Sequence, residues 1–263
     1  MKRYFIEVAY KGAGYAGFQI QENAVTIQSE IQQAMAVLFK RDIVLTGSSR
    51  TDAEVNALQN YFHFDLDQSI PERHIYNLNA ILPPVIVINR IIPMQANAHC
   101  RFDAISREYM YYVYRTKNPF LRDRAYYFPY TIDFDLLQET AAEILQYTDF
   151  TSFSKRNTQV KNFTCSIHES RWKVVNDHFV YHVKANRFLR GMVRGLVGTM
   201  LQAGRGKINL DAFRKIIEDR DCTKANFAVP GHGLFLAKVN YPPGYPLTSL
   251  SSAITHQPFT YRH

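Results

Sequence analysis

Cysteine is scarce in this chain, with three residues in 263. Cys100, Cys165 and Cys222 stand far apart and form no CxxC pair, which argues against a disulfide framework and against a zinc site built from cysteines. Long apolar runs are also missing, and no stretch is long enough to span a bilayer. The segment Met1–Lys11 is interrupted by charges and reads as a strand, not as a signal peptide, so a soluble, cytoplasmic protein is expected. Tryptophan occurs once, against 17 Tyr and 18 Phe. Acidic residues are the minority: 23, against 31 Lys plus Arg, a formal net charge of +8. Such a surplus favours a polyanionic partner, because a basic surface attracts and holds phosphates. On charge alone, a basic protein with no nucleic-acid role fits equally well.

Apolar residues make up 46% of the chain, ample for a core, and their spacing alternates between two periods. Arg3–Lys11 has period two, with Tyr4, Ile6, Val8 and Tyr10 on one side, and predicts a half-buried strand. After a glycine-rich turn at Gly12–Gly17, Ile27, Ile31, Ala34 and Leu38 share the face of a helix over Ile27–Phe39, with Thr26 as its N-cap. Short strands are predicted at Ile43–Thr46, Tyr61–Leu66 and Val85–Ile92, with a loop over Gly47–Ala57 and a helix beginning near Pro71. The second half repeats the style. Strands are expected at Arg107–Arg115, Cys165–Val174, Phe179–Ala185 and Leu234–Val239, and helices at Asp135–Leu145, Phe188–Gln202 and Leu210–Glu218. Beyond Tyr241 the prolines predict irregular chain. Two successive strand–helix–strand sets indicate an α+β architecture of two similar halves, divided between Asn97 and Ser106.

Two segments carry chemistry. On a helical wheel Arg187, Arg190 and Arg194 share one side, flanked by Gly191, Gly195 and Gly198, with the apolar residues opposite. Glycine inside a helix costs roughly 0.5–1 kcal/mol relative to alanine, so three on one face call for close packing or a close phosphate. The loop Gly47–Asp52 places Arg50 two residues before Asp52 among small hydroxyl side chains. An arginine beside a carboxylate keeps it ionised, as a nucleophile or general base requires; Arg–Asp loops are also commonly structural, and spacing alone does not separate the two.

The stretch Ser49–Ala57, SRTDAEVNA, resembles the signature loop G-R-T-D-x-G-V-H-A of the tRNA pseudouridine synthase A family. Other elements follow in family order: Tyr10–Gly12 with Gly14–Gln19, His99–Phe102, Ser106–Tyr111, Asp149–Phe153, Asn186–Gly204 and Gly233–Leu236. The resemblance spans nearly the whole chain. It implies two similar α/β-sandwich domains, 1–102 and 103–263, joined into one extended, mainly antiparallel sheet with a central basic cleft. It further implies isomerisation of uridine to pseudouridine in the anticodon arm of tRNA, on the 3′ side of the anticodon, by a homodimer without cofactor or metal. Asp52 would attack the flipped nucleotide, at ribose C1′ or base C6. Tyr109 would stack on its base, Arg194 would pair with Asp52, Arg50 would fill the vacated place in the RNA, and Leu234 would wall the pocket. Arg187, Arg190, Arg101, Lys155, Arg156, Lys161, Arg205 and Lys207 are candidates for backbone contact, which positions RNA without reading it. The sequence departs from the signature at Ser49, Glu54 and Asn56. Glu54 and Asn56 raise the alternative of a shifted target; intact Asp52, Tyr109 and Arg194 argue against a silent RNA-binding protein.

Overall fold

The computed structural model describes residues 1–156 and 160–247. The first half comprises β1 (Lys2–Gly12), α1 (Ile27–Phe39), β2 (Thr46–Gly47), β3 (Glu54–Leu66), α2 (Arg73–Ile81) and β4 (Ile86–Met94). The second comprises β5 (Ser106–Tyr114), β6 (Tyr126–Tyr127), α3 (Phe134–Glu143), β7 (Ile167–Val175), β8 (His178–Ala185), α4 (Met192–Gly204), α5 (Leu210–Glu218) and β9 (Leu234–Asn240). One sheet runs through both, in the order β4-β1-β3-β9-β5-β8-β7, with β2 beside β3 and β6 beside β5. Its ladders are antiparallel except β5–β6 and the β3–β9 seam, where Asn56 faces Phe235 and Ala57 faces Leu236. The fold is α+β with a mixed, largely antiparallel sheet.

Local chemistry accounts for the helix starts. Thr26 and Ser29 form a reciprocal capping box at the start of α1, with Ser29 N–H to Thr26 Oγ1 at 3.2 Å and Thr26 N–H to Ser29 Oγ at 3.0 Å, worth about 1 kcal/mol. Helix α1 buries Ile27, Ile31, Ala34 and Met35; Met35, not Leu38, completes the buried stripe. The Asp133 carboxylate caps α3 and the Asn209 side chain caps α5.

Strand β1 is more buried than a half-exposed strand. Its neighbours β3 and β4 cover both edges, and Phe5, Ile6 and Val8 have no exposed surface. Each such side chain contributes about 1.5–3 kcal/mol. Even Glu7 is buried, paired with Arg90 and accepting from Tyr61 Oη at 2.6 Å. Strand β3 begins at Glu54, not Tyr61, so the loop shrinks to residues 48–53. The strand expected over Ile43–Thr46 is reduced to Thr46–Gly47. The helix expected from Phe188 starts only at Met192, because Gly191 takes a left-handed conformation, φ +74°. Arg187 and Arg190 therefore precede the helix and do not share its face with Arg194. Residues 241–247 contain no helix or strand; the rest of the expected irregular tail lies outside the described residues.

Candidate active site

Loop 48–53 leaves the sheet where β2 stops, and three kinds of contact fix it. Phe18 N–H donates to Thr51 O at 3.1 Å, and the Tyr10 hydroxyl is hydrogen-bonded to Thr51 Oγ1 at 2.9 Å. Asn60, fully buried, donates to Ser49 O at 3.1 Å and accepts from Ser48 Oγ at 2.8 Å. Burial pushes the Tyr10 phenol up to about 12, so it stays protonated and able to donate. Glycines then allow backbone to press on backbone: a Cβ on Gly17 would sit 3.0 Å from Thr51 O, and one on Gly231 2.3 Å from Ala53 O. The second of these contacts comes from the other half of the chain.

Asp52 occupies the end of this loop with 25% of its side chain exposed. Its cationic neighbour is Arg190, whose Nε lies 3.9 Å from Oδ1. This corrects the pairing with Arg194. The left-handed turn at Gly191 folds Arg190 back toward the loop, whereas Arg194, in the first turn of α4, donates from Nε to Val229 O at 2.8 Å. Arg194 thus anchors the segment leading to Leu234. Tyr111 anchors the same segment from β5, donating to Pro230 O at 2.8 Å. The small residues of α4 serve packing, not phosphate: a Cβ on Gly198 would lie 2.1 Å from Asn226 O, and one on Gly195 2.8 Å from the Phe227 ring.

Tyr109 is buried on β5, with Phe188 edge-on at 5.0 Å between ring centroids. Burial pushes its phenol well up, and the neighbouring Tyr10 and the Asp52 charge add to that. Its register partner on β9 is Leu236, while buried Leu234 pairs with Tyr111. Asp52, Tyr109, Arg190 and the 229–234 segment therefore meet where β3, β9 and β5 run side by side. Arg50 is exposed at the loop's outer edge.

Arg107 stands outside the residues that the sequence marks for the site, yet it ties the region together. Its guanidinium donates to Arg101 O at 2.8 Å, Ala104 O at 3.1 Å, Asn186 O at 3.2 Å and Ser48 O at 3.4 Å. Among the described residues it has no carboxylate partner, and burial pulls its pKa down. The available signal is an arginine two residues before Tyr109 in a strand that holds four tyrosines among its nine residues. Asn56, one of the departures from the signature loop that raise a shifted target, is 1% exposed. Its Oδ1 accepts from Gly12 N–H at 2.9 Å, and its Nδ2 donates to His232 O at 2.8 Å. Glu54 is exposed and holds φ +65° without being glycine.

Arg50, Arg101 and Arg187 form a basic group around this point. Desolvation, then repulsion from Arg50 and Arg187, lowers the pKa of Arg101, and none of the three has an ion pair among the described residues. Of the other basic candidates, Arg205 lies 3.4 Å over the Tyr130 ring, and the Lys155 side chain covers Gly191. One group of side chains has metal-ligating chemistry: His63, His99 and Cys100, whose donor atoms lie within 4.8 Å of one another. Part of this donor set is otherwise engaged. Cys100 Sγ donates to Thr46 O at 3.1 Å, burial pushes its thiol up to about 12, and His99 Nδ1 accepts from Arg101 and Phe102 N–H.

Residues 147–242 match the family described as tRNA pseudouridine synthase, which sets the class. Full-length relatives narrow it. The tRNA pseudouridine synthase A of Parabacteroides distasonis is 43% identical over 244 residues, 92% of this chain and 97% of its own. That of Bacteroides thetaiotaomicron is 41% identical over 246 residues, 92% and 91%. That of Staphylococcus aureus N315 is 33% identical over 240 residues, 90% of each. The chain belongs to the tRNA pseudouridine synthase A family, and it is an enzyme of that family. No helix among the described residues is long and apolar enough to cross a membrane.

Proposed function

We propose that this enzyme converts uridine to pseudouridine in the anticodon stem-loop of tRNA, on the 3′ side of the anticodon, with Asp52 as nucleophile. The observation that carries the reading is the setting of Asp52. It is a partly exposed carboxylate on a loop fixed from both halves of the chain, next to Arg190 and near Tyr109. A flipped nucleotide requires an aromatic wall, polar edge contacts and a reactive group within reach. Tyr109 and Leu234 supply the apolar wall, Arg190 sets a positive charge beside the carboxylate, and Arg50 lies exposed at the loop's outer edge, open to the RNA backbone. In the reaction the bond from ribose C1′ to N1 breaks and a bond from C1′ to C5 forms. The C5 proton leaves and N1 gains one, so atoms and electrons balance without a redox partner.

The same reading takes residues 1–102 and 103–263 as two domains around a basic cleft, in a cytoplasmic homodimer that engages tRNA with Arg187, Arg190 and the other surface cations. Exposed Glu54 favours one variant, a narrowed or shifted set of target uridines, because its carboxylate would stand near phosphates. The test is pseudouridine mapping of tRNA incubated with purified protein. Modification confined to the 3′ side of the anticodon arm supports the proposal. Modification elsewhere supports the shifted target, and none at all defeats both.

A further inference from the structure

A hollow of about 330 Å³ opens on the same loop. Its wall includes Arg50 but not Asp52, and Gln19, His99, Arg101 and Phe102 stand beside it. Phe102 is the anomaly: a large apolar side chain left 74% exposed. It is nevertheless held in place. The His99 ring lies 4.1 Å from its centroid, tilted by 32°. His99 Nδ1 accepts from the N–H groups of Arg101 and Phe102 at 3.2 and 3.3 Å, and the His99 N–H donates to the Asp103 carboxylate at 2.8 Å. The turn thus presents an aromatic ring at a fixed place. The Arg101 guanidinium stands 5.8 Å from that ring, and neither Arg50 nor Arg101 has a carboxylate partner among the described residues. Gln19 lies exposed at the rim, with a donor and an acceptor to offer.

An open aromatic face beside two uncompensated guanidinium groups matches the two ends of a nucleotide. Bases stack on aromatic rings, and arginines take phosphates. Neither an apolar ligand nor a simple anion would use both features. We infer that this hollow binds a second, unpaired nucleotide of the substrate RNA, its base on Phe102 and its phosphate between Arg50 and Arg101. This rests on the enzyme acting on RNA, and it adds a point of recognition separate from the reacting uridine. Holding a neighbour of the target outside the helical stack would also lower the cost of extruding the target itself.

The test separates base from phosphate. Filter binding of a tRNA transcript across a salt series is compared for wild type, Phe102→Ala, Phe102→Leu, Phe102→Trp and Arg101→Gln, with tritium release from tRNA labelled at uridine C5 giving KM and kcat. Phe102→Ala and Phe102→Leu are expected to weaken binding and raise KM about tenfold, with kcat and the salt slope unchanged. Phe102→Trp is expected to bind as tightly as wild type or more so. Arg101→Gln is expected to flatten the log–log salt slope by about 0.7. Wild-type affinity in Phe102→Leu, or an unchanged slope in Arg101→Gln, would overturn the inference. So would a Phe102→Ala variant whose change lies in sedimentation or thermal midpoint and not in RNA affinity, since Phe102 would then be a contact between copies or part of the fold. The binding arm needs no turnover. Wild-type protein that binds tRNA but releases no tritium would defeat the proposed activity and leave the hollow to be judged on affinity alone.

Discussion

The two halves of the sheet share one plan, strand–helix–strand–strand–helix–strand, to which the second half adds β6 and α5, and they differ most at one connection. In the second half β7 has nine residues and pairs with β8 along its length. The two are joined by Asn176 and Asp177 alone, both at positive φ (48° and 60°), as a tight hairpin with right-handed twist requires. In the first half the corresponding strand, β2, has two residues, and six residues separate it from β3. The early residues of β3, released from β2, pair with β9 instead. Truncating one strand thus does two things at once. It frees a loop to carry Arg50 and Asp52, and it opens the strand edge by which the second half docks against that loop. The hairpin of the second half extends the sheet; the irregular connection of the first half carries Arg50 and Asp52.

Four experiments would break or sharpen this contrast. Asp52→Asn should remove activity by about four orders of magnitude or more, because an amide cannot act as the nucleophile. Its thermal midpoint should barely move, since the substitution removes only a 3.9 Å pair to an arginine with 60% of its side chain exposed. Tritium release and a melting curve check this; turnover near wild type would remove Asp52 from its proposed role. Next, Arg107→Lys should lower kcat/KM about tenfold. An ammonium cannot reach four carbonyls spread over three segments as a planar fork does. If stability falls while kinetics do not, Arg107 supports the sheet only.

The third concerns acid. Burial holds His63 neutral, lowering its value to about 4 from an ordinary 6.5. Between those values the unfolded chain binds the extra proton, so stability falls as pH falls, by roughly 2 kcal/mol from pH 7 to 5. Glu108 in the second half behaves differently. A hydrogen bond from His182 lowers it to about 2 from 4.5, so its contribution is complete above about 4.5 and is lost only as pH falls toward 2. Denaturant unfolding at pH 7 and 5 should show a loss in wild type that is reduced by about that amount in His63→Gln, the remainder coming from His99 and His178, which burial also lowers. The smallest effect is a matched pair. Glu54→Gly and Asp177→Gly each replace a left-handed non-glycine residue, and each should stabilise by roughly 0.5–1 kcal/mol. Only Glu54→Gly should alter the map of modified uridines. Identical maps would leave Glu54 without a part in target choice.

The sequence is most legible where local rules act alone. Helix α5 lies where its periodicity puts it, at Leu210–Glu218, and α1 lies where its cap puts it, at Ile27–Phe39. It is least legible at the seam. The start of β3 is polar, with Glu54, Asn56, Gln59 and Asn60, and has the composition of a loop. Three of these side chains find partners only in three dimensions: Asn56 at Gly12 and His232, Gln59 at Val239, and Asn60 at Tyr10 and Ser49. The start of α4 is displaced from its expected place because Leu189 continues the apolar period backward through a turn that is not helical. That one turn decides whether Arg190 or Arg194 meets Asp52. The family likeness locates the loop and its aspartate, but which arginine faces it depends on the backbone at Gly191.

The β3–β9 seam also sets an order of events during synthesis. The Asn56 amide nitrogen finds its acceptor in His232, 176 residues later, and Ala53 is packed by Gly231. While the chain is still emerging from the ribosome, the first half can assemble its own strands and helices, yet the loop bearing Asp52 lacks its far wall until the last strand arrives. A prematurely terminated product would carry the Asp52 carboxylate without the residues of the second half that enclose its loop. The placement of β9 thus makes the enclosure of the Asp52 loop a late event in the chain's assembly.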